Sequence, residues 1–314
     1  MIVHLVILSQ NKFMLPLFSE YSFVLSEAAI CERLRGNNSI NLHPTLFNSP
    51  LIYEEYAAEV LAGITHEYID IAREFGVPVA IAAPTWRLDV ERVAAADVPV
   101  SINQDAVDFV KKVKRDSGYR DVYLFGLMAP KNDCYNPSVA LSAEEAMLFH
   151  AGQANQLADS GLDFLLAQTM PSVREAEGIA RAMIASELPF IISFCINSEG
   201  QVLDGTPLND AINILDQKLN GAPLGYAVNC SHPTFVKADA MSKATLARLV
   251  GICANASAKD HNELEQTKQT IADDIDVWAD SMVMLHETYG VKILGGCCGT
   301  TDHHLRALCE RICK

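Results

Sequence analysis

Three runs decide the fold: Val122-Tyr123-Leu124-Phe125-Gly126-Leu127-Met128, then Phe164-Leu165-Leu166-Ala167, then Phe190-Ile191-Ile192-Ser193-Phe194-Cys195. Each is a short apolar segment of strand length. Between the first two, Ser142-Ala143-Glu144-Glu145 opens a helix with the signature of a capping box. Between the second and third, Val173 to Ser186 reads as a helix. Strand, helix, strand, helix, strand is the rhythm of a parallel sheet built from β-α units.

The same rhythm extends in both directions. Phe23-Val24-Leu25 reads as a first strand, with a short helix over Glu27 to Leu34. Ile52 to Phe75 has apolar residues at helical spacing, and Gly76 sits where a C-terminal cap belongs. Val77 to Ala83 follows as a strand, closed by Pro84-Thr85-Trp86-Arg87. Gly225 to Asn229, Leu249 to Asn255 and Ile293 to Gly296 supply strands six to eight, with a helix over Ile271 to Tyr289 before the last. Eight strands with intervening helices predict a closed (β/α)8 TIM barrel in a single domain over residues 16–314. The structural rival is an open doubly wound sheet, but no Gly-rich dinucleotide turn follows the first strand.

Composition narrows the function classes. A net charge of -15 argues against nucleic acid or an anionic membrane as a partner. The apolar start Met1 to Leu8 lacks the basic flank of a secretory signal, and Ser9-Gln10-Asn11-Lys12 interrupts it before it could span a bilayer. Residues 1–15 read as an N-terminal extension, with Met14 an alternative start. The nine cysteines do not have the spacing of a small disulfide scaffold, so a reducing, cytoplasmic location is expected.

Two cysteine motifs stand apart from that background. Gly295-Gly296-Cys297-Cys298-Gly299-Thr300 follows the eighth strand, and Asn229-Cys230-Ser231-His232-Pro233 follows the sixth. Neighbouring cysteines rarely bond to each other, because the small ring strains the disulfide. In a barrel all three thiols would open onto the C-terminal face. Three thiolates with a fourth position open make a soft-ligand site suited to catalytic zinc, Zn2+, whereas three unconnected buried thiols are the bland alternative. Zinc removes the proton of a thiol in its open position and yields a nucleophile at neutral pH. That favours alkyl transfer to sulfur over hydrolysis.

These motifs resemble the zinc signature of the homocysteine S-methyltransferase family. Asp163 to Ala167, Ser193-Phe194 with Asp204-Gly205, and Asn255-Ala256-Ser257 are similar to further family segments in the family's order. The resemblance implies a TIM barrel, zinc on Cys230, Cys297 and Cys298, and methylation of a thiol. It implies homocysteine as acceptor and a sulfonium or betaine-type compound as donor. Two positions depart from the pattern: Ser26 stands where the family has an aspartate, and Gln168 where it has a glutamate that meets the substrate ammonium. Glu27 is the candidate displaced acid, or else merely an acid favouring the start of the following helix. Asn229 and Glu27 are the candidate catalytic residues, and Gln168 and Trp86 the candidate substrate-binding ones. Trp86 would stack on a cationic donor, or would simply pack.

Arg87, Asp133, Tyr135 and His232 are expected on the same face, His232 as a loop residue rather than a ligand. His303 and His304 read as surface or helix-end residues. The partners expected are a small thiol and a methyl donor, and a homo-oligomer is compatible with the sequence. The competing readings are a non-catalytic zinc- or thiol-buffering barrel, a zinc hydrolase, and a redox protein using Cys297 and Cys298.

Overall fold

The computed structural model describes residues 15–259 and 272–314. The strands are β1 Val24–Ser26, β2 Val79–Ala83, β3 Val122–Met128, β4 Phe164–Met170, β5 Phe190–Phe194, β6 Gly225–Asn229, β7 Leu249–Ala254 and β8 Ile293–Gly296. All pair in parallel and close in sequence order, with β1 meeting β8 through Val24 opposite Ile293 and Leu25 opposite Leu294. The sheet has no edge, which excludes the open doubly wound rival and establishes the (β/α)8 barrel.

Seven long helices pack outside: α1 Glu55–Phe75, α2 Ile102–Ser117, α3 Ala143–Ala158, α4 Val173–Ala185, α5 Leu208–Lys218, α6 Ile275–Tyr289 and α7 Asp302–Ile312. Gly76 ends α1 at φ 67°, the left-handed conformation a glycine cap adopts. Ser142 and Glu145 complete the capping box expected at the start of α3. Asp274 caps α6, which begins at Ile275; Ile271, where the helix was expected to begin, lies outside the described residues. Between β6 and β7 the chain makes only short helical turns, the longest Lys243–Leu246.

The strand ends differ from the sequence reading where side chains outside the strand decide. β1 runs one residue later than Phe23–Leu25, and β2 starts at Val79 rather than Val77. β4 continues past Ala167 through polar Gln168 and Thr169. Its register slips between Ala167 and Met170, and Met170 still pairs with Phe194. This bulge re-aims the polar pair at the barrel mouth. The helix expected over Glu27 to Leu34 is confined to Cys31–Arg35. Glu27 cannot join it because its carbonyl accepts from Gly296 N–H at 2.9 Å and its carboxyl from Ala82 N–H at 3.0 Å.

The barrel interior is packed at its N-terminal end and open at the other. Val24, Ala80, Phe125, Phe164, Ile191 and Ile293 fill it, with the Phe125 and Phe164 rings stacked 5.0 Å apart. A short helix, Pro16–Ser19, closes that end by burying Leu17 completely among them. Burial of such side chains stabilises the fold by about 1.5–3 kcal/mol each. Of the expected N-terminal extension only Leu15 falls within the described residues. Among the described residues no helix is long and apolar enough to cross a membrane.

Candidate active site and metal centre

The C-terminal mouth of the barrel brings Cys230, Cys297 and Cys298 together, with their sulfurs all within 4.8 Å of one another. The end of β7 is the clamp. Cys253 carbonyl accepts from Cys230 N–H at 3.2 Å, and Ala254 carbonyl accepts from Cys297 N–H at 2.7 Å. Asn255 Oδ1 accepts from Cys298 N–H at 3.1 Å, while Ala256 N–H donates to Cys298 carbonyl at 2.9 Å. Trp278, fully buried in α6, donates its indole N–H to Asn255 carbonyl at 3.0 Å and so braces the clamp.

Glycines at 295 and 296 are steric requirements. A Cβ on Gly296 would lie 2.1 Å from Thr300 Oγ1, and one on Gly295 would lie 2.7 Å from Ser26 Cβ. Thr300 occupies that space because its hydroxyl donates to Cys297 carbonyl at 2.6 Å, closing the turn that carries the cysteine pair. Glu32 accepts from Gly299 N–H at 2.5 Å on the outer side of the same turn.

Asn229 is committed to the protein. Its Oδ1 accepts from Thr169 N–H at 3.0 Å and Ser193 Oγ at 2.7 Å. Its Nδ2 donates to Thr169 Oγ1 at 2.8 Å and to Cys230 Sγ at 3.2 Å. Both amide acceptor sites and both donors are thus used. Asn229 touches a sulfur of the cluster and joins β4, β5 and β6 around it. It is therefore a positioning residue, not one free to contact a substrate.

The three sulfurs suit a soft dication. Cys230 and Cys297 sulfurs are in contact at 2.8 Å, and ionising both there would set like charges against each other. Contact with Cys230, then burial, holds the Cys297 and Cys298 thiols well above the ordinary range. A metal ion reverses that balance by favouring the ionised sulfurs. Three thiolates are the ligand chemistry of zinc with one position left for an exchangeable group.

A cavity of about 420 Å³ opens beside the cysteines. Glu27, Trp86, Arg87, Asp133, Tyr135 and Gln168 line it, so most of the expected polar face is gathered there. Burial, partly opposed by the Ala82 N–H, pushes the Glu27 carboxyl up to about 8. Gln168 uses its backbone carbonyl to accept from Trp86 Nε1 at 3.2 Å, and its carboxamide faces the cavity wall without an internal hydrogen bond among the described residues. Phe47, Cys134, Thr169 and Cys253 also line the cavity. The sequence reading did not single these out.

Backbone strain concentrates at the same place. Of five non-glycine residues with positive φ among the described residues, Phe47 (53°), Thr169 (69°) and Cys230 (49°) line the cavity. Such conformations persist where surrounding contacts over-determine them, commonly at functional sites.

Other expected residues lie elsewhere. His232 is a buried loop residue whose Nε2 lies 3.6 Å from Asp273 and whose Nδ1 meets Thr234 Oγ1 at 2.8 Å. Asp204 holds the start of α4 by accepting from Val173 N–H at 2.7 Å. His303 is exposed as expected, but His304 is buried, its ring edge-on to Trp278 at 5.2 Å. The helix amphipathicity turns His304 inward, where its Nδ1 accepts from Thr301 N–H at 3.2 Å.

Comparison with known proteins agrees with this architecture. The family profile described as Homocysteine S-methyltransferase matches residues 25–312. A homocysteine S-methyltransferase (YbgG) of Bacillus subtilis (strain 168) is 23% identical over 92% of this chain and 94% of its own length. Homocysteine S-methyltransferase 2 of Arabidopsis thaliana is 26% identical over 57% of this chain, a match spanning about half (53%) of that relative. The crystal structure of the homocysteine methyltransferase MmuM from Escherichia coli, in its metallated form, has the same fold. Its TM-score is 0.69 at 19% identity, covering 94% of this chain and 98% of that one. The chain belongs to the homocysteine S-methyltransferase family.

Proposed function

We propose that the chain is a zinc-dependent S-methyltransferase that moves a methyl group from a sulfonium or betaine-type donor to a thiol, homocysteine being the first acceptor to test. One observation carries the reading. Three sulfurs within 4.8 Å of one another stand at the open end of a barrel, beside a cavity large enough for a small substrate. Cys230, Cys297 and Cys298 would hold the metal, which when bound lowers the acceptor thiol's pKa so that it is a nucleophile at neutral pH.

The protein's own residues would supply alignment. Asn229 and Thr169 fix the Cys230 sulfur, and the β7 clamp fixes the other two. Glu27 and Gln168 are placed to orient the acceptor, and the apolar wall of Phe47, Leu127 and Phe109 excludes water. In the transfer, the donor's carbon–sulfur or carbon–nitrogen bond breaks with its electron pair staying on the donor. A carbon–sulfur bond forms to the acceptor, whose thiol proton is released. No base at the donor is required, because a cationic leaving group departs neutral.

The cavity favours an enzyme over a thiol-buffering barrel, which has no use for one. The experiment is a methyl-transfer assay on zinc-loaded protein, pairing homocysteine and other small thiols with sulfonium and betaine donors. Turnover with at least one pair is expected. Failure of every pair, with zinc demonstrably bound through Cys230, would overturn the reading in favour of the buffering barrel.

A further inference from the structure

Arg87 follows β2 and lines the same cavity as the three cysteines. Its guanidinium lies 4.7 Å over the Trp86 ring and 5.6 Å over the Phe47 ring, whose own centroids are 5.3 Å apart at a tilted, edge-on angle. The support is rigid: Trp86 is tied to Gln168 carbonyl, and Phe47 is held at φ 53°. A planar guanidinium stacked in this way has lost much of the freedom of a long side chain before any ligand arrives.

The group is under-used by the protein. Nη2 reaches Asn132 carbonyl at 3.4 Å, a long contact, and Nε is buried without a hydrogen-bond partner. Among the described residues no carboxylate forms an ion pair with Arg87, although Arg92 nearby is paired with Asp89. Asp133, the acid on the same loop as Asn132, turns its carboxylate to Tyr135 N–H at 2.9 Å. Burial and the neighbouring Arg92 charge lower the Arg87 pKa, only partly opposed by contact with the Cys134 sulfur and by the Asp133 charge. A partly desolvated guanidinium that forms no carboxylate ion pair among the described residues suits a planar anion, which its two terminal nitrogens can bind through parallel hydrogen bonds.

The same stack tells against the cation-binding role expected for Trp86. One ring face is already covered by a guanidinium, and a second cation there would meet like charge. Beside Trp86, the neutral Gln168 offers no charge to an ammonium.

We propose that Arg87 is the carboxylate-binding residue of this cavity, so that at least one substrate carries an aliphatic carboxylate while an α-ammonium group on the acceptor is dispensable. The inference deepens the methyltransferase reading and rests on it only for the size and kind of ligand. A carboxylate could arrive on the thiol acceptor or on a betaine-type donor, and the two sources are separable.

The test is equilibrium binding to zinc-loaded protein, followed by tryptophan fluorescence. The chain has two tryptophans, and Trp86 is the one that lines the cavity. On the acceptor side, homocysteine is compared with its analogue lacking the ammonium and its analogue lacking the carboxylate. On the donor side, glycine betaine is compared with choline. A preference of roughly tenfold to a hundredfold for the carboxylate-bearing member is expected in at least one arm, and removal of the ammonium should change binding by no more than a few-fold. Arg87→Gln should abolish the preference while leaving the carboxylate-free analogue bound as before, and Arg87→Lys should retain part of it. Absence of the preference in both arms of the wild-type protein overturns the proposal, as does its survival in Arg87→Gln. If the ammonium-free analogue binds far more weakly than homocysteine, the second half of the proposal falls. No methyl transfer is measured, so failure of the enzyme reading would leave this result standing.

Discussion

The two halves of the cavity are built differently. On the β6–β8 side the cysteines are fixed by backbone hydrogen bonds to the end of β7 and by two asparagines, with glycines where a Cβ would collide. On the β1–β4 side the wall is made of long side chains, Glu27, Trp86, Arg87 and Gln168, carried at strand ends and on the loops beyond. The first half is over-determined and holds the three clustered sulfurs. The two meet at β1 and β4, where Ser26 stands against Gly295 and Thr169 bonds to Asn229.

Substitutions on each wall should break this division in different ways. The largest effect belongs to Cys297→Ala, which removes one of three sulfurs. Zinc retention and methyl transfer should both fall to background, measured by metal analysis after dialysis and by product formation, with the barrel's circular dichroism retained. Next is Asn229→Ala, which leaves all three sulfurs but removes one donor to the Cys230 sulfur and leaves Thr169 N–H without its acceptor. Loss of such a supporting hydrogen bond should weaken zinc binding or kcat by about 10- to 100-fold, with KM for the donor little changed.

Gly296→Ala should act through sterics alone. Its Cβ would displace Thr300 from the Cys297 carbonyl, lowering stability by about 1–3 kcal/mol in urea unfolding. An unchanged midpoint would show that the turn accommodates a side chain and that the glycine is not required.

A pH dependence is expected on the other wall. The fold favours neutral Glu27, whose carboxyl is pushed up to about 8 from an ordinary 4.5. The stabilisation is therefore complete below pH 4.5 and is lost as pH rises through about 8. Glu27→Gln, permanently neutral and still able to accept from Ala82 N–H, should flatten the fall in unfolding midpoint across that window in zinc-free protein. Parallel pH profiles for the two proteins would mean that Glu27 is ionised in the fold.

Much of this molecule was legible in its sequence. Strands buried on both faces read as apolar runs, so all eight could be placed, and the cysteine motifs at two strand ends pointed to one site. What the sequence concealed depends on contacts between distant segments. The β4 bulge lies in polar residues that look like the end of a strand, yet Met170 resumes pairing beyond it. His304 reads as a surface or helix-end residue; it does stand in the first turn of α7, but its burial follows only once Trp278 is packed against it. The left-handed backbone at Phe47 and Cys230 has no local signal such as glycine, because tertiary contacts impose it. Arg87 was recognisable as a polar residue on the right face. That its guanidinium stacks on Trp86 and forms no carboxylate ion pair among the described residues became apparent only with its neighbours in place.

The measurement that bears most directly on the central claim is X-ray absorption at the zinc edge, before and after addition of a small thiol. The account predicts three sulfur ligands at about 2.3 Å plus one lighter ligand, converting to four sulfurs when the thiol is added. Fewer than three protein sulfurs, or a first shell unchanged by saturating thiol, would contradict a three-cysteine centre that activates its acceptor.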